Sequence, residues 1–510
     1  MAIATFFSRI LGLIREQVMA AFFGASGLTD AFLVAYRIPN LLRDLFAEGA
    51  FSSAFVPTFV ETNQESKEKS RELLWSLFIL LTLITGTLSL GIYIFAPELI
   101  EIFAPSFISD PEKFKITVTL TRILSPFLVF VSLAALFMGV LNSLKVFFVP
   151  ALAPACYNLV SVLCMLLLTS LFITWGYPGI YSLGLGALFG AFVQAFIQLP
   201  LLWRRGFRPV WPKKLLTEKS VKVFRLLGPG LVGFAATQIN MLIVTILATG
   251  TVAGAVSWLS YSFRLFQLPV GILSVSIGNS NLIHFSQGWK AGKVDEALDA
   301  LKTSYFLSFV TIMPAMILLY FFSEEMVNLI FERGRFSSED TVMTSLALKM
   351  YALGLPFYGL YKIWVPVFYT LERQRIPVIG SLISITVNIV FCLIFTPQWG
   401  FATLALGTSL SVLVNALFLA IIIKKELQLT LAFFINLKII KILGVSAACS
   451  LLAYYLSGFD YSEQLFIFKA FSLSGQISAI VLSYGICLYI LGERSAIQGI
   501  WQKFSKKMKR

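Results

Sequence analysis

The fold is decided near the start of the chain, by the stretch FFSRILGLIREQVMAAFFGASGLTDAFLVAYRIPNLLRDLFAEGAFSSAFVP, residues Phe6–Pro57. It is apolar enough to form membrane helix, yet it contains Arg9, Arg15, Arg37 and Arg43. An arginine at the centre of a membrane helix costs about 2.5–3.5 kcal/mol on insertion scales, so it normally faces a protein interior or a water-filled cavity. The stretch therefore predicts membrane helices that line a polar cavity.

The composition of the whole chain is that of a membrane protein. Of its 510 residues, 58% are hydrophobic and only 13% are charged, whereas soluble domains have about 45–50% and about 25%. Many apolar segments run for about 20 residues, the length of helix that crosses a hydrocarbon core of about 30 Å. The alternating pattern of membrane strands is absent from the sequence. We predict an all-α polytopic membrane protein.

Glycine, proline, asparagine and aspartate divide the apolar runs into about fourteen predicted transmembrane spans. The spans cover residues 2–24, 28–60, 72–97, 116–143, 147–174, 178–203, 221–249, 252–284, 303–323, 341–370, 377–397, 400–424, 435–457 and 467–492. Many transporters consist of two repeats with the substrate at their interface. We therefore predict two pseudo-symmetric six-helix lobes, residues 1–205 and 206–430, then two additional helices in 431–492 and a basic cytoplasmic tail, 493–510.

The basic residues indicate the orientation of the spans, because lysine and arginine accumulate in cytoplasmic loops. The loops after even-numbered spans, counted with the adjoining span ends and the C-terminal tail, contain 26 of the 40 lysines and arginines, and the loops after odd-numbered spans, counted in the same way, contain five. Both termini are therefore predicted to be cytoplasmic. The net charge of +14 reflects this asymmetry and a tail suited to membrane lipids with anionic headgroups, not to nucleic acid.

The remaining basic residues lie within predicted spans. They are Arg9, Arg15, Arg37, Arg43, Arg122, Arg225, Arg264, Lys349 and Lys362. Arg122, Arg225 and Lys349 are near span ends, where a long side chain can extend to the interface. The carboxylates within spans, away from the span ends, are Glu16, Asp30, Asp44 and Glu48, all in the first two spans. A cavity with an excess of positive charge favours anions, above all phosphates, which a guanidinium binds through two parallel hydrogen bonds.

Arg37 has a second interpretation. Asp30, Arg37 and Asp44 recur every seven residues and share one helix face, so span 2 can instead be internally ion-paired. That pairing would still leave Arg15, Arg264 and Lys362 without an acidic partner. Both interpretations of Arg37 stay open from the sequence.

Two prolines are candidate hinges. Pro39 in span 2 and Pro269 in span 8 each remove a helix hydrogen bond and should kink their helices. The backbone groups that a kink frees can be satisfied where the helix lines a cavity.

The sequence contains no pattern typical of an enzyme, a metal site or a bound cofactor. His284 is the only histidine, and there is no P-loop, HExxH or GxSxG motif. Coupling to the membrane potential or to a monovalent ion is left open. Spans 7, 11 and 12 contain no carboxylate, so a cation site there would need amides such as Gln238, Asn240, Asn388 and Asn415.

Four segments together resemble the MurJ (MviN) family, the bacterial lipid II flippases of the multidrug/oligosaccharidyl-lipid/polysaccharide exporter superfamily. They are SRILGLIRE, FGASGLTDAFLVAYRIPNLLRDLFAEGAFSSAFVP, YSFRLFQLPVGIL and KIWVPVFYTL. The likeness covers essentially the whole chain. It implies a protein of the bacterial inner membrane that moves lipid II, the undecaprenyl-pyrophosphate-linked disaccharide-pentapeptide of peptidoglycan synthesis, to the periplasmic leaflet by alternating access. A cell-wall synthesis complex is a candidate partner.

The resemblance also implies which residues contact the substrate. The matching family positions are Arg9, Arg15, Asp30, Arg43 and Arg264. Secondary cavity candidates are Arg37, Glu48, Gln267 and Lys362, and spans 13 and 14 correspond to a groove for the lipid tail. This chain differs from many relatives in having Phe263 and Gln267, not acids, beside the span 8 arginine, and His284 in place of a proline.

Other functions were weighed against lipid II transport. A flippase for another polyprenyl-linked glycan would need the same cationic cavity. A drug or cation antiporter of the same superfamily is disfavoured because, apart from span ends, no carboxylate lies within a span beyond span 2. A scaffold without transport would need no arginines inside the membrane, and an enzyme is not predicted.

Overall fold

The computed structural model describes residues 2–47, 50–271, 275–457 and 466–493. These residues form α-helices joined by short turns, with one 3-10 helix and no β-strand among them. The predicted all-α class is confirmed.

The chain divides into two compact units. The first unit consists of Met1–Ser257 with Arg333–Phe336, and the second of Trp258–Glu332 with Ser337–Arg510. This division reflects packing, whereas the lobes predicted above, 1–205 and 206–430, rest on an expected internal symmetry and stay a prediction.

Helices α1 to α11 belong to the first unit. They are α1 (Ala2–Phe23), α2 (Gly27–Ala47), α3 (Ala50–Glu65), α4 (Lys67–Ile94), α5 (Ala96–Phe103), α6 (Pro111–Leu124), α7 (Phe127–Ser143), α8 (Phe148–Thr174), α9 (Tyr181–Phe196), α10 (Leu199–Arg204) and α11 (Glu218–Thr249). A 3-10 helix, Pro105–Ser109, follows α5. Helix α12 (Ala255–Pro269) begins in the first unit and continues into the second.

The remaining helices belong to the second unit. They are α13 (Val275–Lys290), α14 (Val294–Phe321), α15 (Ser323–Phe331), α16 (Ser338–Ala352), α17 (Leu355–Thr370), α18 (Arg375–Trp399), α19 (Ala402–Glu426), α20 (Leu431–Phe434), α21 (Leu437–Leu456) and α22 (Phe466–Ile490). Predicted span 2 thus contains α2 and α3, and predicted span 8 contains α12 and α13.

Nine helical segments among the described residues are long and apolar enough to cross a membrane. They are Lys67–Ile94, Pro111–Ser143, Phe148–Thr174, Tyr181–Arg204, Val294–Phe321, Arg375–Trp399, Ala402–Glu426, Leu431–Leu456 and Phe466–Ile490. Helices α1 and α2 are not among the nine, and their sequences contain several charged residues. The total of fourteen spans stays a prediction.

Polar side chains determine where several helices begin. The side chain of Ser66 accepts from the first backbone amides of α4, and Asp110 does the same for α6, whose first residue is a proline. Thr217 and Ser337 form reciprocal capping boxes at α11 and α16. Each cap satisfies amides that the first helical turn leaves without a backbone partner.

Each unit contains its own buried aromatic core. In the first unit Phe55, Phe59 and Phe137 pack with leucines of α4 and α7. In the second unit Trp364 and Tyr305 stack with ring centroids 5.4 Å apart, inside a cluster that also includes residues of α21 and α22. The two additional helices therefore pack on the core of the second unit.

The two predicted hinges differ in position. Pro39 lies inside α2, which continues to Ala47, whereas Pro269 is the last residue of α12. Their role as hinges stays a prediction.

Candidate substrate site

Helix α1 is held against α8 along one face. Ser8, Gly12 and Arg15 occupy positions i, i+4 and i+7 and therefore lie on the same side of α1. The Asn158 side-chain amide donates to the Ser8 carbonyl at 3.2 Å. Gly12 faces the same amide, whose nitrogen would lie 3.4 Å from a Cβ added there. The same face brings the Arg15 guanidinium over the Tyr157 ring, 5.3 Å from its centroid.

Arg15 is also ion-paired. Its Nη2 donates to Glu16 Oε1 at 2.6 Å, and the two side chains are only 19% and 8% exposed. The expectation that Arg15 lacks an acidic partner is therefore wrong. Adjacent residues on a helix normally point in different directions, but the long arginine side chain reaches back to the neighbouring carboxylate.

Tyr157 of α8 is the centre of the site. Its hydroxyl lies 3.3 Å from the hydroxyl of Tyr36 in α2. Phe127 of α7 packs edge-on against both rings, with centroid distances of 5.3 Å to Tyr36 and 6.4 Å to Tyr157. Arg43 of α2, like Arg15, acts electrostatically on Tyr157. Of the predicted substrate-binding arginines, Arg15 thus contacts Tyr157, and the charge of Arg43 also acts on it.

Asp30 forms a buried contact at the start of α12. It is 2% exposed and accepts from the Gly254 amide at 2.7 Å, the Ser257 amide at 2.9 Å and the Ser257 hydroxyl at 2.6 Å. Because α12 begins at Ala255, the carboxylate satisfies amides of its first turn and lies at the positive end of the helix dipole. Lys113 adds an electrostatic contact.

Arg37 ties α2 to α11. Its Nη1 donates to Thr245 Oγ1 at 2.8 Å and to the Met241 carbonyl at 3.3 Å. The Asp30 oxygens accept from Gly254 and Ser257, and the ion-paired interpretation of span 2 stays a prediction. The side chain of Asp44 lies outside the described residues.

The other predicted site residues lie apart from this cluster or are not described. Arg9 is exposed on α1, and Glu48 lies outside the described residues. Arg264 and Gln267 are exposed on α12 in the second unit. Lys362 of α17 is partly buried, with Nζ 5.8 Å from the Tyr361 ring centroid. The convergence of Arg264 with Arg15 and Arg43 stays a prediction.

Sequence reasoning missed Tyr36 and Tyr157. A signal for Tyr157 was available, since Tyr157 and Asn158 form an adjacent polar pair in span 147–174, whose other polar residues are serines and threonines. Nothing in the sequence indicates that Tyr36 reaches Tyr157, because that contact depends on how α2 packs against α8.

The chain matches proteins of one family over most of its length. The family model described as lipid II flippase MurJ matches residues 19–473. The chain is 36% identical to the probable lipid II flippase MurJ of Rhizobium meliloti over 427 residues, which are 82% of this chain and 78% of the relative. It is 30% identical to the probable lipid II flippase MurJ of Rickettsia prowazekii over 499 residues, 95% of each chain.

Solved structures give the same result. A lipid II flippase MurJ in an inward closed conformation matches with a TM-score of 0.79 and 29% identity, over 97% of this chain and 98% of that one. An inward-facing multidrug resistance MATE family transporter of the MOP superfamily matches with a TM-score of 0.64, at 12% identity, over 82% of this chain and 94% of that one.

The helical architecture is therefore one that this chain shares with transporters of the MOP superfamily, and the molecule is a multi-pass membrane protein. Within that class, the chain belongs to the lipid II flippase MurJ family. The family predicted from the four sequence segments is confirmed.

Proposed function

We propose that this protein flips lipid II from the cytoplasmic to the periplasmic leaflet of the bacterial inner membrane, without changing its covalent bonds. Family membership over most of the chain supports lipid II as the substrate. The observation that carries the proposed mechanism is the poorly exposed Arg15 guanidinium over the Tyr157 ring, on which the charge of Arg43 also acts.

The arginine cluster suits a pyrophosphate. A guanidinium has five N–H donors in a planar fork, and Glu16 accepts from one end of the Arg15 fork. The donors that Glu16 does not engage bind phosphate oxygens in this proposal. Arg264 and Lys362 of the second unit contribute further positive charge, and Arg9 attracts the headgroup as it enters.

Alternating access requires contacts that can break. The Asp30 contact with Gly254 and Ser257 lies on the predicted periplasmic side, and it supports a cycle in which this side is closed while the substrate enters from the cytoplasm. Pro39 and Pro269 are the proposed hinges of the same cycle.

The membrane potential is the proposed energy source, with a coupled monovalent ion as the alternative. A negative charge that moves outward across an inside-negative membrane is favoured by about 2.3 kcal/mol for each elementary charge and 100 mV. The pyrophosphate of lipid II moves in this direction, so the potential favours export.

The remaining parts of the proposal concern the lipid tail and the surroundings. Tyr454, Tyr455, Phe468 and Phe471 of α21 and α22 are large, apolar and exposed, which supports these helices as the tail groove.

Both termini are placed in the cytoplasm by the distribution of basic residues. Since lipid II is consumed at the outer leaflet, a cell-wall synthesis complex is the proposed partner.

Complementation tests the function. Arg15→Ala and Arg43→Ala should each fail to support growth of cells depleted of their own flippase, and lipid II should accumulate. Arg122→Ala is the matched control, since Arg122 is an exposed arginine at the end of α6 that donates to the Tyr93 carbonyl. Normal growth of an Arg15→Ala strain at normal protein levels would reject the anion site. Accumulation of a different lipid-linked glycan would favour a related flippase.

A further inference from the structure

We infer that Tyr157 is a positioning residue that holds the Arg15 guanidinium in its binding orientation, and that Tyr36 fixes the Tyr157 ring through the bond between their hydroxyls. This inference rests on the proposed function, since it explains how the same site presents its cation. Neither tyrosine was among the residues implied by the family resemblance.

The contact between Arg15 and Tyr157 is short and poorly exposed to water. The guanidinium carbon lies 5.3 Å from the ring centroid, within the range of about 6 Å for cation–π attraction. Tyr157 is 9% exposed and the Arg15 side chain 19%. Such attraction strengthens where water is excluded. An arginine side chain is long and flexible, and Glu16 fixes only one end of its fork. The ring supplies the second restraint and leaves the edge of the fork free to donate.

The Tyr157 ring is itself held in place. A Cβ added at Gly190 of α9 would lie 2.8 Å from the ring carbon Cδ2, so α9 closes one side of the ring. Phe127 packs edge-on at 62°, and the Tyr36 hydroxyl lies 3.3 Å from the Tyr157 hydroxyl. Since Tyr36 belongs to α2 and Tyr157 to α8, a movement of α2 relative to α8 changes this hydroxyl contact.

A partly buried aromatic residue, whose described ring contacts are with phenylalanines and not with Arg15, provides the comparison. Phe130 of α7 packs against the Phe192 and Phe196 rings at centroid distances of 5.3 and 6.2 Å. It also borders the cluster that contains Tyr157. Truncation of Phe130 should loosen the helix packing without changing the orientation of Arg15.

Transport of fluorescent lipid II by the full-length protein in proteoliposomes tests the inference. Tyr157→Leu should raise the lipid II concentration for half-maximal transport by about two- to thirtyfold, the range expected from loss of a cation–π contact. Tyr157→Phe keeps the ring and should have a smaller effect. Phe130→Leu should lower the unfolding temperature and leave the half-maximal concentration unchanged. Equal shifts in Tyr157→Leu and Phe130→Leu would overturn the inference.

Two double-mutant cycles separate positioning from packing. Tyr157→Leu combined with Arg15→Gln should be less harmful than the product of the single effects, because each change removes the contact between the cation and the ring. Tyr36→Phe and Tyr157→Phe each remove one side of the hydroxyl bond, so the double variant should be no worse than the worse single variant. Additive effects in both cycles would contradict the inference, and the second cycle remains decisive if Tyr157→Leu does not fold.

Arg15→Ala, measured in the same assay, distinguishes the two proposals. If Arg15→Ala transports normally, the proposed anion site is wrong. If Arg15→Ala is inactive while Tyr157→Leu has the wild-type half-maximal concentration, only the positioning role of Tyr157 is wrong.

Discussion

Carboxylates hold the first unit together at two places, in opposite ways. At the start of α12 the carboxylate of Asp30 is buried and accepts three hydrogen bonds, two from backbone amides and one from a hydroxyl. This place lies on the predicted periplasmic side. A buried carboxylate without hydrogen-bond donors is energetically costly, and so are buried donors without an acceptor.

The second place, on the predicted cytoplasmic side, consists of two ion pairs between α3 and α11. Glu65 Oε1 accepts from Lys219 Nζ at 2.5 Å, and Glu61 Oε2 from Lys222 Nζ at 3.0 Å. The side chains of Glu61 and Lys222 are both 52% exposed. Exposed pairs of this kind contribute little, because water and salt screen them.

The comparison indicates which side opens more readily from this conformation. Separation of Asp30 from the start of α12 leaves the amides there without an acceptor. Separation of α3 from α11 only transfers the charged groups of two ion pairs to water, which already reaches them. We therefore expect the predicted periplasmic contact to be the more stable of the two.

The largest expected effect is that of Asp30→Ala. Removal of the carboxylate leaves the Gly254 and Ser257 amides without their acceptor, which should destabilise the protein by about 2–4 kcal/mol. Thermal unfolding in detergent measures the loss, and hydrogen exchange of the peptide around residues 250–260 should become faster. Asp30→Asn keeps one carbonyl acceptor, so its unfolding temperature should lie between those of the unsubstituted protein and Asp30→Ala. Unchanged exchange in Asp30→Ala would refute the stability of this contact.

Gly334→Ala tests a second contact on the same predicted side. Gly334 has φ of +62°, and an added Cβ would overlap the Ala21 carbonyl oxygen at the end of α1. The neighbouring Arg335 amide donates to that oxygen at 2.8 Å. We expect a loss of about 1–3 kcal/mol. Gly176→Ala is the matched control, since Gly176 has φ of +76° with nothing within 4 Å. Equal losses in both variants would mean that only backbone strain matters.

Glu325 of α15 contrasts with Asp30, because its buried Oε2 has no hydrogen-bond partner among the described residues. Burial, with the nearby Glu324, raises the pKa of Glu325 from 4.5 to about 7. The folded protein therefore binds an additional proton between about pH 4.5 and 7, and stability falls as pH rises through this window. Glu325→Gln should unfold at a higher temperature than the unsubstituted protein at pH 8, with a smaller difference at pH 5. Glu98→Gln, at an exposed acidic residue of α5, is the control. An unchanged pH profile in Glu325→Gln would assign the dependence to another group.

The smallest expected effect is that of Lys219→Ala. The hydrogen bond from Lys219 lowers the pKa of Glu65, so the pair contributes above about pH 4.5 and is lost as pH falls through the lowered pKa. A small decrease in unfolding temperature should appear at low salt and disappear at high salt. The charge exchange Glu65→Lys with Lys219→Glu should restore the original unfolding temperature at low salt. A loss as large as that of Asp30→Ala would contradict the comparison.

Much of this protein could be predicted from its residues. Apolar runs, basic loops and arginines within helices are local properties, so membrane class, helical architecture and family were accessible without coordinates. The candidate site was only partly accessible. Arg15 and Arg43 were identified by the cost of burying their charge, but the absence of an acid beside Arg15 was a wrong expectation, since a flexible side chain can turn to an adjacent residue.

The sequence by itself therefore determined which segments lie in the membrane and which charged groups are energetically costly to bury there. Only the tertiary structure decided the partners: Asp30 with residues 254 and 257, Arg37 with α11, and Arg15 with Tyr157. These contacts join residues more than a hundred positions apart. The physical reason is that a side chain bonds with whichever group the helix packing brings within a few ångströms, and no pattern along one helix specifies its neighbour.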